Sequence, residues 1–189
     1  MATAEHRIRP RATIALAAIA TGAAVSVALG VYGSRHDPTG QAISTFGFPN
    51  LIAMKVWLGF VAGAFALVQL GSALWMFGHF GRPAPRSANV VHRMSGTLAV
   101  VLSLPVAYHC LWSLGFQSYD NRVLIHSLAG CAFYGVFVTK VFALHSKSSP
   151  GWLVPLAGGL LLTVIVLIIF TSSVWYVREI GWPATPSGY

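Results

Sequence analysis

The chain has 189 residues, 56% of them hydrophobic and only 8% charged, where a soluble domain carries about 25% charged residues, so composition makes it a membrane protein. Its four acids, Glu5, Asp37, Asp120 and Glu179, all lie outside the apolar runs, which argues against carboxylate acid–base chemistry or a carboxylate metal site inside a bilayer. The net charge of +8 does not describe a nucleic-acid surface, because the basic residues flank apolar runs rather than forming one patch.

The first apolar run, at about 12–32, follows the basic segment HRIRPRA. Its apolar part of about 20 residues exceeds the roughly 7–15 of a signal-peptide core, which predicts a spanning helix. Small residues fill it (AAIATGAAVSVALG), and the second run, at about 51–77, carries Gly59, Gly63 and Gly71. Both patterns predict close helix–helix approach. Further runs follow at about 89–115, 122–145 and 152–177, the third containing Pro105 as a possible kink. The connectors GSRHDPTGQAISTFGFPN, GHFGRPAPRS, QSYDN and SKSSPG are rich in turn residues, and the tail GWPATPSGY reads as irregular. The expected fold is an all-α bundle of five transmembrane helices forming a single membrane domain over 1–189.

A cytoplasmic N-terminus puts Arg7, Arg9, Arg11, Arg82, Arg86 and Lys147 inside, against Arg35, Arg122 and Arg178 outside. This bias predicts N-in, C-out. Trp57, Trp75, Trp112, Trp152 and Trp175 fall near the expected interfaces, as an aromatic belt requires. Cys110 and Cys131 form neither a CxxC pair nor a zinc pattern and read as small buried hydrophobes.

Four histidines carry the chemistry. The third run, VVHRMSGTLAVVLSLPVAYHC, holds His92 and His109; the fourth, LIHSLAGCAFYGVFVTKVFALH, holds His126 and His145. The short loop between the runs predicts antiparallel neighbours. Depth then matches His109 with His126 on the outer side, at roughly 10 Å and 6 Å, and His92 with His145 on the inner side. The spacings of 17 and 19 residues turn the two helices by about −100° and +100° between levels, opposite senses that allow both pairs to converge. Facing imidazoles in a bundle suit the iron of a haem held axially. Gly96 and Gly130 each lie four residues beyond a histidine, on its own face, where a flat macrocycle needs room. Arg93 and Lys140 inside, backed by Arg82 and Arg86, and Arg122 outside are candidate partners for the haem propionates. Lys140 is a costly charge at membrane depth, unless it snorkels to the inner interface. His36 and His79, in or beside loops, and His6 in the tail read as solvated surface residues, with His79 an alternative to His145.

HRMSG and HSLAG, with the four histidines over residues 89–145, resemble the haem-binding cores of transmembrane b-type cytochromes of the cytochrome b561 and ferric-reductase class. That resemblance implies haem b, two per chain with one as the alternative, and electron transfer across a cell (plasma) membrane. The donor or acceptor is then quinone or a separate redox protein, since no loop houses a redox domain and no flavin or nucleotide motif is present. The alternative is a structural anchor subunit of a larger respiratory or reductase complex, with one haem or none. Ion-coupled transport is disfavoured by the lack of buried acids. Cysteines introduced at Ser146 and Ser118 should label from opposite sides of the membrane; labelling of both from one side would contradict the five-span arrangement.

Overall fold

A computed structural model describes residues 10–185 and, among them, an all-helical chain without strands. His6, Arg7 and Arg9, and the last four residues of the tail, lie outside the described residues. The helices are α1 (Pro10–Arg35), α2 (Leu51–Met76), α3 (Arg86–His109), α4 (Asn121–His145), α5 (Leu153–Ile169) and α6 (Trp175–Glu179). A π-helical turn at Cys110–Leu114 extends α3, and another at Phe170–Val174 joins α5 to α6. Five helical stretches of 25–29 residues are long and apolar enough to cross a membrane; at 1.5 Å per residue each exceeds the roughly 30 Å hydrocarbon layer. Leu16, Val27, Leu67, Leu104 and Leu160 are exposed on the outside of the bundle, the expected surface for lipid contact. The chain is a multi-pass membrane protein.

Local signals set the helix starts. Asn50 Oδ1 accepts from the Ala53 N–H at 2.8 Å, and Asp120 Oδ1 from the Val123 N–H at 2.7 Å, each satisfying a donor that the helix cannot. Helix three is expected to kink at Pro105. The helix continues through Pro105, and a π-turn follows about one turn later. Carbonyls of that turn accept from the 36–50 loop: Thr39 N–H bonds to Trp112 O at 3.3 Å and Gly40 N–H to Ser113 O at 3.0 Å. Ser113 Oγ donates in return to Gln41 O at 2.7 Å. His36 is not a freely solvated side chain: its ring stacks between Tyr32, at 5.2 Å, and Trp112, at 4.5 Å.

Small residues decide which helices touch. Gly22 of α1 and Gly135 of α4 bring their backbones into direct contact, so a Cβ on either would overlap the other's carbonyl. Thr139 Oγ1, four residues along the same seam, shares its proton between Ala18 O at 3.2 Å and Gly135 O at 3.1 Å. Without a hydrophobic driving force inside lipid, such close van der Waals approach supplies the attraction between helices. Gly59 and Gly63 of α2 likewise admit Ser173 and Ile169 from the α5 side. The interior is accordingly alanine-rich. Ala15, Ala18, Ala143 and Leu153 form one buried cluster, and Ala62, Ala66, Phe133 and Ile165 another.

The lateral order corrects one expectation. Helices three and four are not directly packed neighbours: α3 lies along α2, while α4 lies between α1 and α5. A short loop fixes their antiparallel sense but not their separation. They meet at Ser103 Oγ and Tyr134 Oη, 2.8 Å apart. Gly135→Val should destabilise the protein by roughly 1–3 kcal/mol or more through overpacking. Gly71→Ala, where a Cβ meets nothing within 4 Å, should be neutral or stabilising by up to about 1 kcal/mol. Thermal unfolding in detergent compares the two.

Candidate functional site

The separation of α3 from α4 leaves a cavity of about 510 Å³ between α2, α3, α4 and α5, within the roughly 300–1,000 Å³ range of small-molecule and cofactor sites. It reaches from Gln117 and Tyr119 at the α3–α4 loop to Phe133 and Tyr134. Along α4, from Val123 to Tyr134, that depth is roughly 16 Å at 1.5 Å per residue. Most of the wall is aliphatic, including Val106, Ala107, Leu111 and Ile165. The polar groups include Lys55 from α2, Ser103 from α3, Cys110 from the first π-turn, Arg122, His126, Ser127 and Tyr134 from α4, and Thr171, Ser172 and Ser173 from the second π-turn.

That π-turn organises one wall. π-turns interrupt the regular helical ladder and recur at functional sites. Here the Trp175 N–H bonds to Ser172 O, and the Thr171 carbonyl accepts from Arg122 Nη1 at 2.7 Å. The Arg122 guanidinium also lies 3.7 Å over the Trp175 ring and 3.8 Å from Asp120 Oδ2. Arg122 is thus held at the cavity wall by three contacts.

Thr171 also fixes the state of His126. Its one hydroxyl proton goes to Leu167 O at 2.6 Å. Toward His126 Nδ1, at 3.2 Å, Thr171 Oγ1 therefore acts as acceptor. Nδ1 then carries a proton, which leaves Nε2 as the ring nitrogen not engaged by Thr171. This is how a ligating histidine is held by its outer partner. One turn further along α4, Gly130 also lines the cavity, and a Cβ there would meet nothing within 4 Å. Cys110 lies beside both His126 and Lys55.

The other sequence-derived candidates do not line this cavity. His92 faces α2: its Nδ1 lies 3.0 Å from Ser72 Oγ, whose proton is committed to Val68 O at 2.7 Å. His109 is buried, donates from Nδ1 to Pro105 O at 2.7 Å, and leaves Nε2 without a partner. His145 is exposed and turns back on its own helix, donating to Val141 O at 2.9 Å. In all four rings Nδ1 lies against an oxygen acceptor. They are not gathered on the cavity, and no group of three or more His, Cys, Asp or Glu side chains is poised for a metal among the described residues. Gly96, expected to leave room for a macrocycle, abuts the Gln69 amide of α2, which donates to His92 O and to Ser95 Oγ. Arg93 is exposed, and the Lys140 amine approaches Gly158 of α5.

Lys55, Cys110, Tyr134 and Thr171 are the residues that sequence reasoning passes over. An intramembrane lysine is itself a functional signal, and Lys55, five residues into α2, carries it. Nothing in the sequence distinguishes Cys110 from Cys131 as the thiol beside a base.

No curated protein and no solved structure matches the chain. One family model matches it over residues 14–184, and the chain belongs to that family, DUF6529, a family of unknown function.

Proposed function

We propose that this protein is a b-type cytochrome of the plasma membrane, N-terminus inside, which holds haem in the α2–α5 cavity with His126 as an axial ligand. The observation that carries this reading is the state of His126. Its imidazole lines a cofactor-sized cavity with Nδ1 engaged by Thr171, which leaves Nε2 as the candidate ligand atom.

The rest of the wall fits such a group. Gly130 leaves open space one turn from the ligand, where a flat ring system needs to lie. The aliphatic lining suits an apolar macrocycle. Arg122 and Lys55 supply two cations for two propionates, and Arg122 is already oriented by Trp175 and Thr171. Bound haem supplies one-electron redox chemistry, with quinol or a separate redox protein as donor or acceptor. The chain itself excludes water from the site, holds the ligand tautomer and offsets the carboxylate charge. The cavity supports one haem where the histidine count alone leads to an expectation of two, because His92 and His145 lie away from it.

Purified protein should show a reduced-minus-oxidised b-type spectrum with one haem per chain. His126→Ala should lose it, whereas His92→Ala and His145→Ala should keep it. Full haem content in His126→Ala would remove His126 as ligand. Purified protein without haem would favour the anchor-subunit reading.

A further inference from the structure

The face of α3 turned away from the bundle carries charge. Ala88, Ser95 and Ala99 are buried and mark the face that packs on α2. Arg86, Val90, Arg93, Thr97, Val101 and Leu104 recur at intervals of three and four residues, so they share one face, on the opposite side of the helix. All six are exposed. From the N-terminus of α3 inward, the stripe passes from cation to hydroxyl to aliphatic. Arg86 stands at the helix end, where basic residues commonly flank a spanning segment. Arg93 lies seven residues further in, roughly 10 Å deeper, whereas the headgroup layer is only about 5–7 Å deep on each side. A guanidinium on a lipid-facing surface at that depth is costly without an anion. The described acids offer none: Asp37, Asp120 and Glu179 follow α1, precede α4 and end α6, all at the opposite end of the bundle.

We propose that this stripe is a binding site for an anionic phospholipid of the adjoining leaflet, its phosphate held by Arg93 and its headgroup reaching toward Arg86. A long arginine side chain rises toward the interface while its stem stays on apolar surface, which brings the Arg93 guanidinium to the depth of a lipid phosphate. Arginine meets phosphate oxygens with a bidentate fork. Thr97, one turn deeper, adds an exposed hydroxyl, and Val101 and Leu104 continue the face into the hydrocarbon beside the acyl chains. Arg86 selects the headgroup, because it repels a terminal ammonium and favours a glycerol or a second phosphate. Basic residues at one membrane face are a general means of recruiting anionic lipid. An acidic residue on a partner's helix would also neutralise Arg93, but the gradient from cation to hydroxyl to aliphatic follows the profile of a lipid molecule. The site is independent of the cavity, which Arg86, Arg93 and Thr97 do not line.

The test is native mass spectrometry of the purified full chain in neutral detergent, offered equimolar phosphatidylglycerol and phosphatidylcholine. The wild type should retain phosphatidylglycerol preferentially. Arg93→Leu should weaken that retention about tenfold, the worth of one charge-assisted hydrogen bond. Arg93→Lys should keep the preference but hold the lipid less tightly, since the fork is lost. Arg86→Gln should narrow the preference for phosphatidylglycerol over phosphatidylcholine. Arg178→Gln, in α6 at the opposite end, should change nothing. Thermal unfolding without added lipid should match between Arg93→Leu and the wild type, which separates lost binding from lost fold, and Arg86→Gln carries the test if the leucine variant does not fold. Equal retention of the two lipids by the wild type would overturn the proposal, as would an unchanged preference in Arg86→Gln and Arg93→Leu. A stoichiometric second polypeptide that accompanies the wild type and is absent from Arg93→Leu would also overturn it, placing an acidic partner helix on the stripe instead.

Discussion

The backbone contact between Gly22 and Gly135 sets the geometry of everything around α4. It fixes one face of α4 to α1 in backbone contact, and Thr139 reinforces it from within the same seam. A second face meets α5. With those faces committed, α4 cannot roll or slide to close on α3. On the other side, α3 is bound to α2 through the Gln69, Ser72, His92 and Ser95 network. The space between the two pairs is what remains, spanned by the Ser103–Tyr134 hydrogen bond. A cavity in a lipid-embedded bundle thus follows from strong attachments elsewhere, not from weak packing at the site.

Polar groups inside a membrane have no water to satisfy them, and most of those within this bundle are accounted for locally. Serines and threonines return their protons to carbonyls of their own helices, as Ser72, Ser95, Thr163 and Thr171 do. Such hydroxyls are left as acceptors, which forces a neighbouring imidazole to donate. Thr171 and Ser72 thereby set the tautomers of His126 and His92 by the same means. Of the two, only His126 lines the cavity.

The spans were legible because a bilayer demands long apolar runs, and the structure's helices match the expected ones to within a few residues. Lateral order was not, because a short loop specifies connectivity and sense but says nothing about which flank a helix turns to its neighbours. Gly96 and Gly130 make the point. Each stands four residues beyond a histidine, yet Gly96 receives the Gln69 side chain and Gly130 faces open space. The difference lies in α2, which supplies a glutamine at one position and nothing at the other. Of the residues that spacing singles out, His126, Arg122 and Gly130 line the cavity. Lys55 and Cys110 line it too, and no spacing indicates this, because the wall is assembled from π-turns and from helices distant in sequence.

The most direct measurement is a cryo-electron microscopy map of the full chain purified gently into lipid nanodiscs, made large enough by an antibody fragment bound to an exposed loop. The expected result is a flat, strong density between α3 and α4, continuous with His126 Nε2, with Arg122 and Lys55 toward its edge. Acyl-chain density in the cavity, or a bundle in which α3 has closed onto α4, would contradict a cofactor site there.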